Sequence, residues 1–372
     1  MKSWDRRAVP NGSPMRFYHC SNNPAMWILK TIFKTLLLPL AGIYLAITSI
    51  RNRLYDWKVL KTHSFNVPVI SVGNITAGGT GKSPFVIVLA KILIDAGYLP
   101  GIVTRGYKRR SRGQQIVRDR ASLQSTALLA GDEPFLIASN VDGAVVISDS
   151  DRVAAAQTAV EKFGCDVIIA DDAFQHRRLK RDVDIVLWDA HDHPNRSCLL
   201  PFGRLRESMR HLRRADLLLV TRTDSVSPDR IAFFRRINPG LFIAPLPMTV
   251  TRVVSMKTDK ESEKSELREK RVLAFCGLGN PRQFFNTIKN LTSVNPIARA
   301  FADHYKYSAK DIEDLKQQAD EKECRYLVTT RKDAVNFPQS ARIPDNLLIV
   351  DIEYFLSKKI RAAIFHKLPP RN

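Results

Sequence analysis

The chain has 372 residues, room for two folded units, and its 44% hydrophobic and 26% charged content excludes a disordered polymer. Its 58 Lys and Arg against 37 Asp and Glu leave a formal charge of +21, which implies anionic company: nucleic acid, an acidic membrane surface or a phosphorylated substrate. Five scattered cysteines without a C-x-x-C pair support neither a disulfide framework nor a zinc site and fit a reducing cytosol.

Residues 1–25 are polar, carry Pro10, Gly12, Pro14 and Pro24, and read as a poorly ordered extension. From Trp27 to Ile50 the chain turns apolar. The uncharged part, Thr35–Ile50, would span about 24 Å as a helix, short of the roughly 30 Å hydrocarbon core of a bilayer. No small-residue cleavage site marks a signal peptide. Ile28, Ile32, Leu36, Leu40, Ile43 and Ile47 share one helical face, with Lys30 and Lys34 elsewhere. Trp27, Tyr44 and the basic residues Arg51, Arg53, Lys58 and Lys61 suit a headgroup layer, so 26–66 is read as a membrane-surface helical segment. A core helix of a soluble unit is the competing reading.

Beyond residue 66, apolar runs at Val67–Val72, Gly101–Thr104, Ala144–Ser148, Asp166–Ala170, Asp184–Trp188 and Leu217–Thr221 predict strands. Helical patterns fall between several of them, such as Phe85–Ala96 and Arg152–Phe163. This alternation predicts an α/β fold over 67–250, a mostly parallel sheet with helices on both faces, with the ligand site at the strand ends. The run 257–270 is almost free of apolar residues and reads as a solvated loop. Strands at Val272–Cys276, Tyr326–Thr330 and Leu347–Ile352 then predict a smaller αβ unit within 251–372. Gly277-Leu-Gly-Asn-Pro is a turn; one G-x-G does not make a dinucleotide site.

The most informative stretch is Ser71-Val-Gly-Asn-Ile-Thr76-Ala77-Gly78-Gly79-Thr80-Gly81-Lys82-Ser83. A strand, a glycine-rich turn and Gly-Lys-Ser opening a helix make a P-loop, which wraps phosphates in backbone N–H groups. Gly78, Gly79 and Gly81 let the main chain approach an anion; Lys82 would reach the β- and γ-phosphates and the Ser83 hydroxyl would ligate Mg²⁺. Thr76 stands where the pattern usually begins with Gly. The loop predicts a nucleoside triphosphate with Mg²⁺. Asp166-Val-Ile-Ile-Ala-Asp171-Asp172 supplies a buried strand ending in two carboxylates, placed to complete the metal site.

The run Asp171-Asp172-Ala-Phe-Gln175-His176-Arg177-Arg178 is highly distinctive. So are Thr104-Arg-Gly-Tyr, Gly131-Asp132-Glu133-Pro134, Leu200-Pro-Phe-Gly-Arg-Leu-Arg206-Glu207, Ala302-Asp303-His304 and Thr330-Arg-Lys-Asp333. Together with the P-loop, from about residue 27 to 355, they resemble the tetraacyldisaccharide 4′-kinase family of Gram-negative bacteria. The resemblance implies ATP-dependent phosphorylation of the 4′-hydroxyl of an acylated glucosamine disaccharide 1-phosphate at the cytoplasmic face of the inner membrane. It also implies that Asp132 is the general base, paired with His304 across the two units; because the two lie in different units, hinge closure over bound ATP is expected. It gives Asp171, Asp172 and Glu207, with Ser83, to the metal, and Gln175, His176 and Arg206, with residues 76–83, to the nucleotide. Ser83 and Ala173 depart from the commoner Thr and Gly, and Tyr305–Tyr307 replaces other residues after His304.

The chemistry is sound on its own terms, since a sugar hydroxyl is a weak nucleophile and needs a carboxylate to take its proton. Three basic clusters, around Arg105–Arg112, Arg177–Arg181 and Arg210–Arg214, would rim the site and meet the substrate phosphate and an anionic bilayer surface. A membrane-associated P-loop switch ATPase is the rival, but such proteins carry a Lys where this chain has Ala77. Nucleic-acid binding rests on charge alone and is not expected.

Overall fold

The computed structural model describes residues 39, 42–77, 81–106, 109, 111–194, 198–278, 281–302, 305–334, 336–338 and 340–368. Helix α1 spans residues 42–56; Thr48 and Asn52 are buried on its inner face while Ile43, Ile47 and Ile50 stay exposed. Residues 1–38, 40 and 41, which carry Ile28, Ile32, Leu36 and Leu40 of the expected membrane-facing stripe, lie outside the described residues.

A mostly parallel eight-stranded sheet follows, comprising β1 (Val69–Asn74), β2 (Pro100–Thr104), β3 (Gln115–Arg118), β4 (Val145–Ser148), β5 (Val167–Asp171), β6 (Val183–Asp189), β7 (Leu217–Thr221) and β8 (Phe242–Leu246). Its order is β3-β4-β2-β5-β1-β6-β7-β8, and only the edge strand β3 runs antiparallel. β1, β2, β5, β6 and β7 are buried throughout, as expected of strands covered on both faces. On one face pack α2 (Lys82–Asp95) and α4 (Asp132–Asn140), the latter just beyond the short α3 (Ala127–Ala130). On the other pack α5 (Arg152–Phe163), α6 (Pro228–Ile237) and a 3₁₀ turn at Met209–Arg214. From β1 the chain moves past β5 to β2, then returns through β5 to β6 on the opposite side. That reversal opens a crevice at the carboxyl ends of β1 and β5, the usual ligand position in such sheets.

A second, six-stranded sheet comprises β9 (Met248–Ser255), β10 (Glu261–Ser262), β11 (Val272–Cys276), β12 (Ile297–Ala300), β13 (Tyr326–Thr330) and β14 (Leu347–Tyr354), in the order β10-β9-β14-β13-β11-β12. α7 (Pro281–Thr292) and α8 (Ala309–Glu321) cover it. The last helix, α10 (Lys358–Phe365), follows the single-turn α9 (Arg331–Ala334) and returns to the first sheet, where Tyr354, Leu356, Ile360 and Ile364 join the core beside α2. An ion pair between Lys91 and Glu353, 2.6 Å, adds to that junction.

Two expectations change. The run 257–270 is not simply a solvated loop: β10 pairs with β9, Glu263 and Glu266 form a reciprocal helix cap, and Leu267 is fully buried. One leucine is enough to pin it among charges that point outward. The segment after Tyr354, grouped by sequence with the second unit, packs on the first instead.

Candidate active site

Residues 75–77 leave β1 alongside residues 204–206: Thr76 bridges Leu205, the Ala77 N–H donates to the Arg204 carbonyl, and the Arg206 N–H donates to Ile75 at 2.8 Å. This pairing carries the Arg206 side chain to Asp172, whose two oxygens accept from one guanidinium nitrogen at 2.9 and 3.0 Å. Lys82, the first residue of α2, approaches the same carboxylate at 3.5 Å. Gly81 before it has φ 82°, a left-handed conformation that a side chain would strain, and a Cβ there would fall 1.9 Å from the Tyr354 hydroxyl. Gly78, Gly79 and Thr80 lie outside the described residues, as does His304.

Asp171 ends β5 and Asp172 turns out of it with φ 48°. Asp171 is buried; one oxygen accepts from the Thr104 hydroxyl at 3.4 Å and the other, Oδ1, has no partner among the described residues. Burial, then repulsion from Asp172, pushes its carboxyl up to about 6. Burial also works against Asp172, but Lys82 and Arg206 outweigh it and hold that carboxylate below its ordinary range. A buried carboxylate with an unused oxygen, beside a second one and the Ser83 position, has the donor chemistry for Mg²⁺, which takes one or two carboxylates and completes its shell with phosphate and water. Among the described residues, no group of three His, Cys, Asp or Glu forms a self-sufficient metal cage.

Asp132 opens α4 behind Gly131, whose φ of 96° and ψ of 153° belong to glycine alone. Its carboxylate is exposed and makes no hydrogen bond among the described residues. Repulsion from the neighbouring Glu133 adds to what raises Asp171.

Glu207, expected at the metal, is placed differently. It is fully buried, and both oxygens are taken: Oε1 accepts from Gln175 at 2.9 Å and Arg214 at 2.6 Å, Oε2 from Asn52 at 3.0 Å and His211 at 3.1 Å. Burial alone would raise its carboxyl, but His211 and Arg214 outweigh burial and bring it down to about 2. With no free lone pair facing the crevice, Glu207 anchors α1 to the sheet and is left out of the metal set. Gln175, expected at the nucleotide, spends its amide on Glu207 and on the Asn74 carbonyl at 2.9 Å. His176 is held neutral: burial, reinforced by Arg152 and Arg178, brings its imidazole down to about 4.

Arg152 escaped the sequence reading. It lies buried at the start of α5, donates to the Asp172 carbonyl at 3.2 Å and sits in the field of Asp171, Asp172, Arg105 and Arg206. A cation in the first turn of a helix opposes the helix dipole, and that misfit was the one available signal.

A family model described as tetraacyldisaccharide-1-P 4′-kinase matches residues 33–369. A tetraacyldisaccharide 4′-kinase of Syntrophus aciditrophicus is 36% identical over 318 residues, covering 82% of this chain and 84% of that one. One from Desulfotalea psychrophila is 36% identical over 306 residues, with 82% and 88% covered. The crystal structure of LpxK from Aquifex aeolicus in complex with ATP superposes with a TM-score of 0.64 at 31% identity, covering 91% of this chain and all of that one.

Proposed function

The chain belongs to the tetraacyldisaccharide 4′-kinase family and is a kinase of lipid A biosynthesis; on that premise we propose that it transfers the γ-phosphoryl group of ATP to the 4′-hydroxyl of a tetraacylated glucosamine disaccharide 1-phosphate. The observation that carries this reading is the meeting of Lys82, Asp172 and Arg206 beside the unsatisfied Asp171 at the ends of β1 and β5. Asp171, Asp172 and Ser83 would hold Mg²⁺, which neutralises phosphate charge. Lys82 leaves its resting contact with Asp172 to meet the terminal phosphate. Asp132 takes the proton of the acceptor hydroxyl as the new O–P bond forms and the bond to the ADP oxygen breaks, and His304 supports it from the second unit. Arg152 and Arg206 keep the doubled carboxylate ionised and in place.

The exposed Ile43, Ile47 and Ile50 on α1 support peripheral attachment to an anionic bilayer surface, and no described helix is long and apolar enough to cross one. Purified protein with γ-labelled ATP and the disaccharide lipid in detergent micelles should label the lipid. ATP hydrolysis without lipid labelling would point to a switch ATPase instead. Asp132→Ala should cut kcat by roughly 10²–10⁴-fold, the usual worth of a general base, with nucleotide Kd unchanged. Lost nucleotide binding would move Asp132 to the metal.

A further inference from the structure

The Asp132 carboxylate makes no hydrogen bond among the described residues, so the backbone that carries it sets its place. That backbone is a corner: α3 stops at Ala130, Gly131 takes a conformation open to glycine alone, and α4 begins at Asp132. The last carbonyls of a helix have no partner within it, and the last two of α3 are taken from outside. The Ser148 hydroxyl donates to the Ala130 carbonyl at 3.1 Å, and the Ser111 hydroxyl to the Leu129 carbonyl at 2.5 Å.

Ser148 is the last residue of β4 and is fully buried. Its hydroxyl accepts from Arg109 Nη1 at 3.2 Å, and the same nitrogen donates to the Ser148 carbonyl at 2.6 Å. A guanidinium can only donate, so the single hydrogen of the hydroxyl is committed to Ala130. Arg109 Nη2 donates to the Gly113 carbonyl at 2.5 Å, which closes the loop after β2 on the same point. Gly106 fits against the knot with φ 68°; a Cβ there would fall 2.1 Å from Ser148 Oγ and 3.0 Å from the Ala130 carbonyl oxygen. The glycine of the Thr104-Arg-Gly-Tyr motif thus has a steric reason, and Arg109 serves the fold rather than the basic rim expected of its cluster. We propose that Ser148 is a positioning residue for Asp132: its hydroxyl, aligned by Arg109, fixes the Ala130–Asp132 corner and with it the reach of the carboxylate to the acceptor hydroxyl. The proposal rests on the reading of Asp132 as general base and adds what aims it.

A reacting group displaced by about 1 Å can lose roughly 10²-fold in rate. Ser148→Ala should therefore lower kcat by roughly 10–10²-fold, with KM for ATP and for the glycolipid unmoved. The deciding arm is the same substitution in an Asp132→Ala background. A residue that acts only through the Asp132 carboxylate costs nothing further there, whereas a merely structural loss multiplies with the first. Ser111→Ala, at a solvent-exposed contact, should show the same pattern with a few-fold loss, and it decides the matter where Ser148→Ala does not fold. Full kcat in the deciding variant overturns the proposal, and so do multiplied losses in the double variant. In those cases Asp132→Ala alone remains slow and the base assignment stands. Undiminished kcat in Asp132→Ala overturns both together.

Discussion

Asp171 and Glu207 are both buried carboxylates set among cations, and the protein treats them in opposite ways. Glu207 has four donors on two oxygens, and its proton affinity falls far below normal. Asp171 keeps an empty oxygen and a second carboxylate beside it, and its proton affinity rises. A buried acid that is fully satisfied contributes to the fold; one left short of partners is holding capacity for something that arrives later. Charge and burial alone do not separate the two cases. Counting lone pairs does.

The strongest way to break the contrast is Glu207→Ala. Removing one partner of a buried charged network costs about 3–5 kcal/mol, because Arg214 is left without its counter-charge and Asn52, Gln175 and His211 without their acceptor. Thermal unfolding should show that loss with Mg²⁺ dependence intact. An unchanged melting temperature with a raised Mg²⁺ requirement would return Glu207 to the metal. Next comes Lys82→Met, expected to lower kcat by roughly 10²–10³-fold, as when one transition-state donor is lost, with melting little changed. A large fall in stability would make Lys82 a second Glu207-type anchor.

Titration sharpens the comparison, since the two acids bias stability in opposite directions. Glu207, lowered from 4.5 to about 2, contributes stability that is full above 4.5 and disappears as pH falls toward 2. Asp171, raised from 3.8 to about 6, favours the folded state below 3.8 and loses that contribution as pH rises through 6. Asp171→Asn should therefore raise the melting temperature of the nucleotide-free protein above pH 6 and leave it unchanged below 3.8. A variant that melts earlier at high pH would show Asp171 to be satisfied after all. The smallest effect is expected from Tyr354→Phe, which removes a hydrogen bond shared with Thr221, worth about 1 kcal/mol. Nucleotide affinity should fall only a few-fold through Gly81.

Much of the larger sheet was legible because its strands are buried on both faces and so read as unbroken apolar runs; Leu217–Thr221 and Arg152–Phe163 appear with their expected bounds. β3, β8, β9 and β12 were not legible. β3, β8 and β12 lie at sheet edges, where polar side chains and even Pro245 are tolerated. β9 follows neither an unbroken apolar run nor a strict alternation: Val250, Val253 and Val254 are buried, Thr249 and Arg252 exposed, and its register with β14 shifts between Asp351 and Ile352. At the site, the residues with a local signature, Lys82, Asp171, Asp172 and Arg206, converge in space. Asn52, Arg152 and Glu207 needed the tertiary structure. Their roles depend on partners far away in sequence, such as the Asn52–Glu207 contact across 155 positions.

The return of residues 354–368 to the first sheet governs the order in which a growing chain can mature. Until that stretch has left the ribosome, the outer side of α2 has no cover at Phe85, and the turn at Gly81 lacks the phenol that backs it. A chain interrupted before it would leave Phe85 and its apolar neighbours on α2 bare beside the Gly81 turn, so the phosphate loop is completed last, by residues from the end of the second sheet onward.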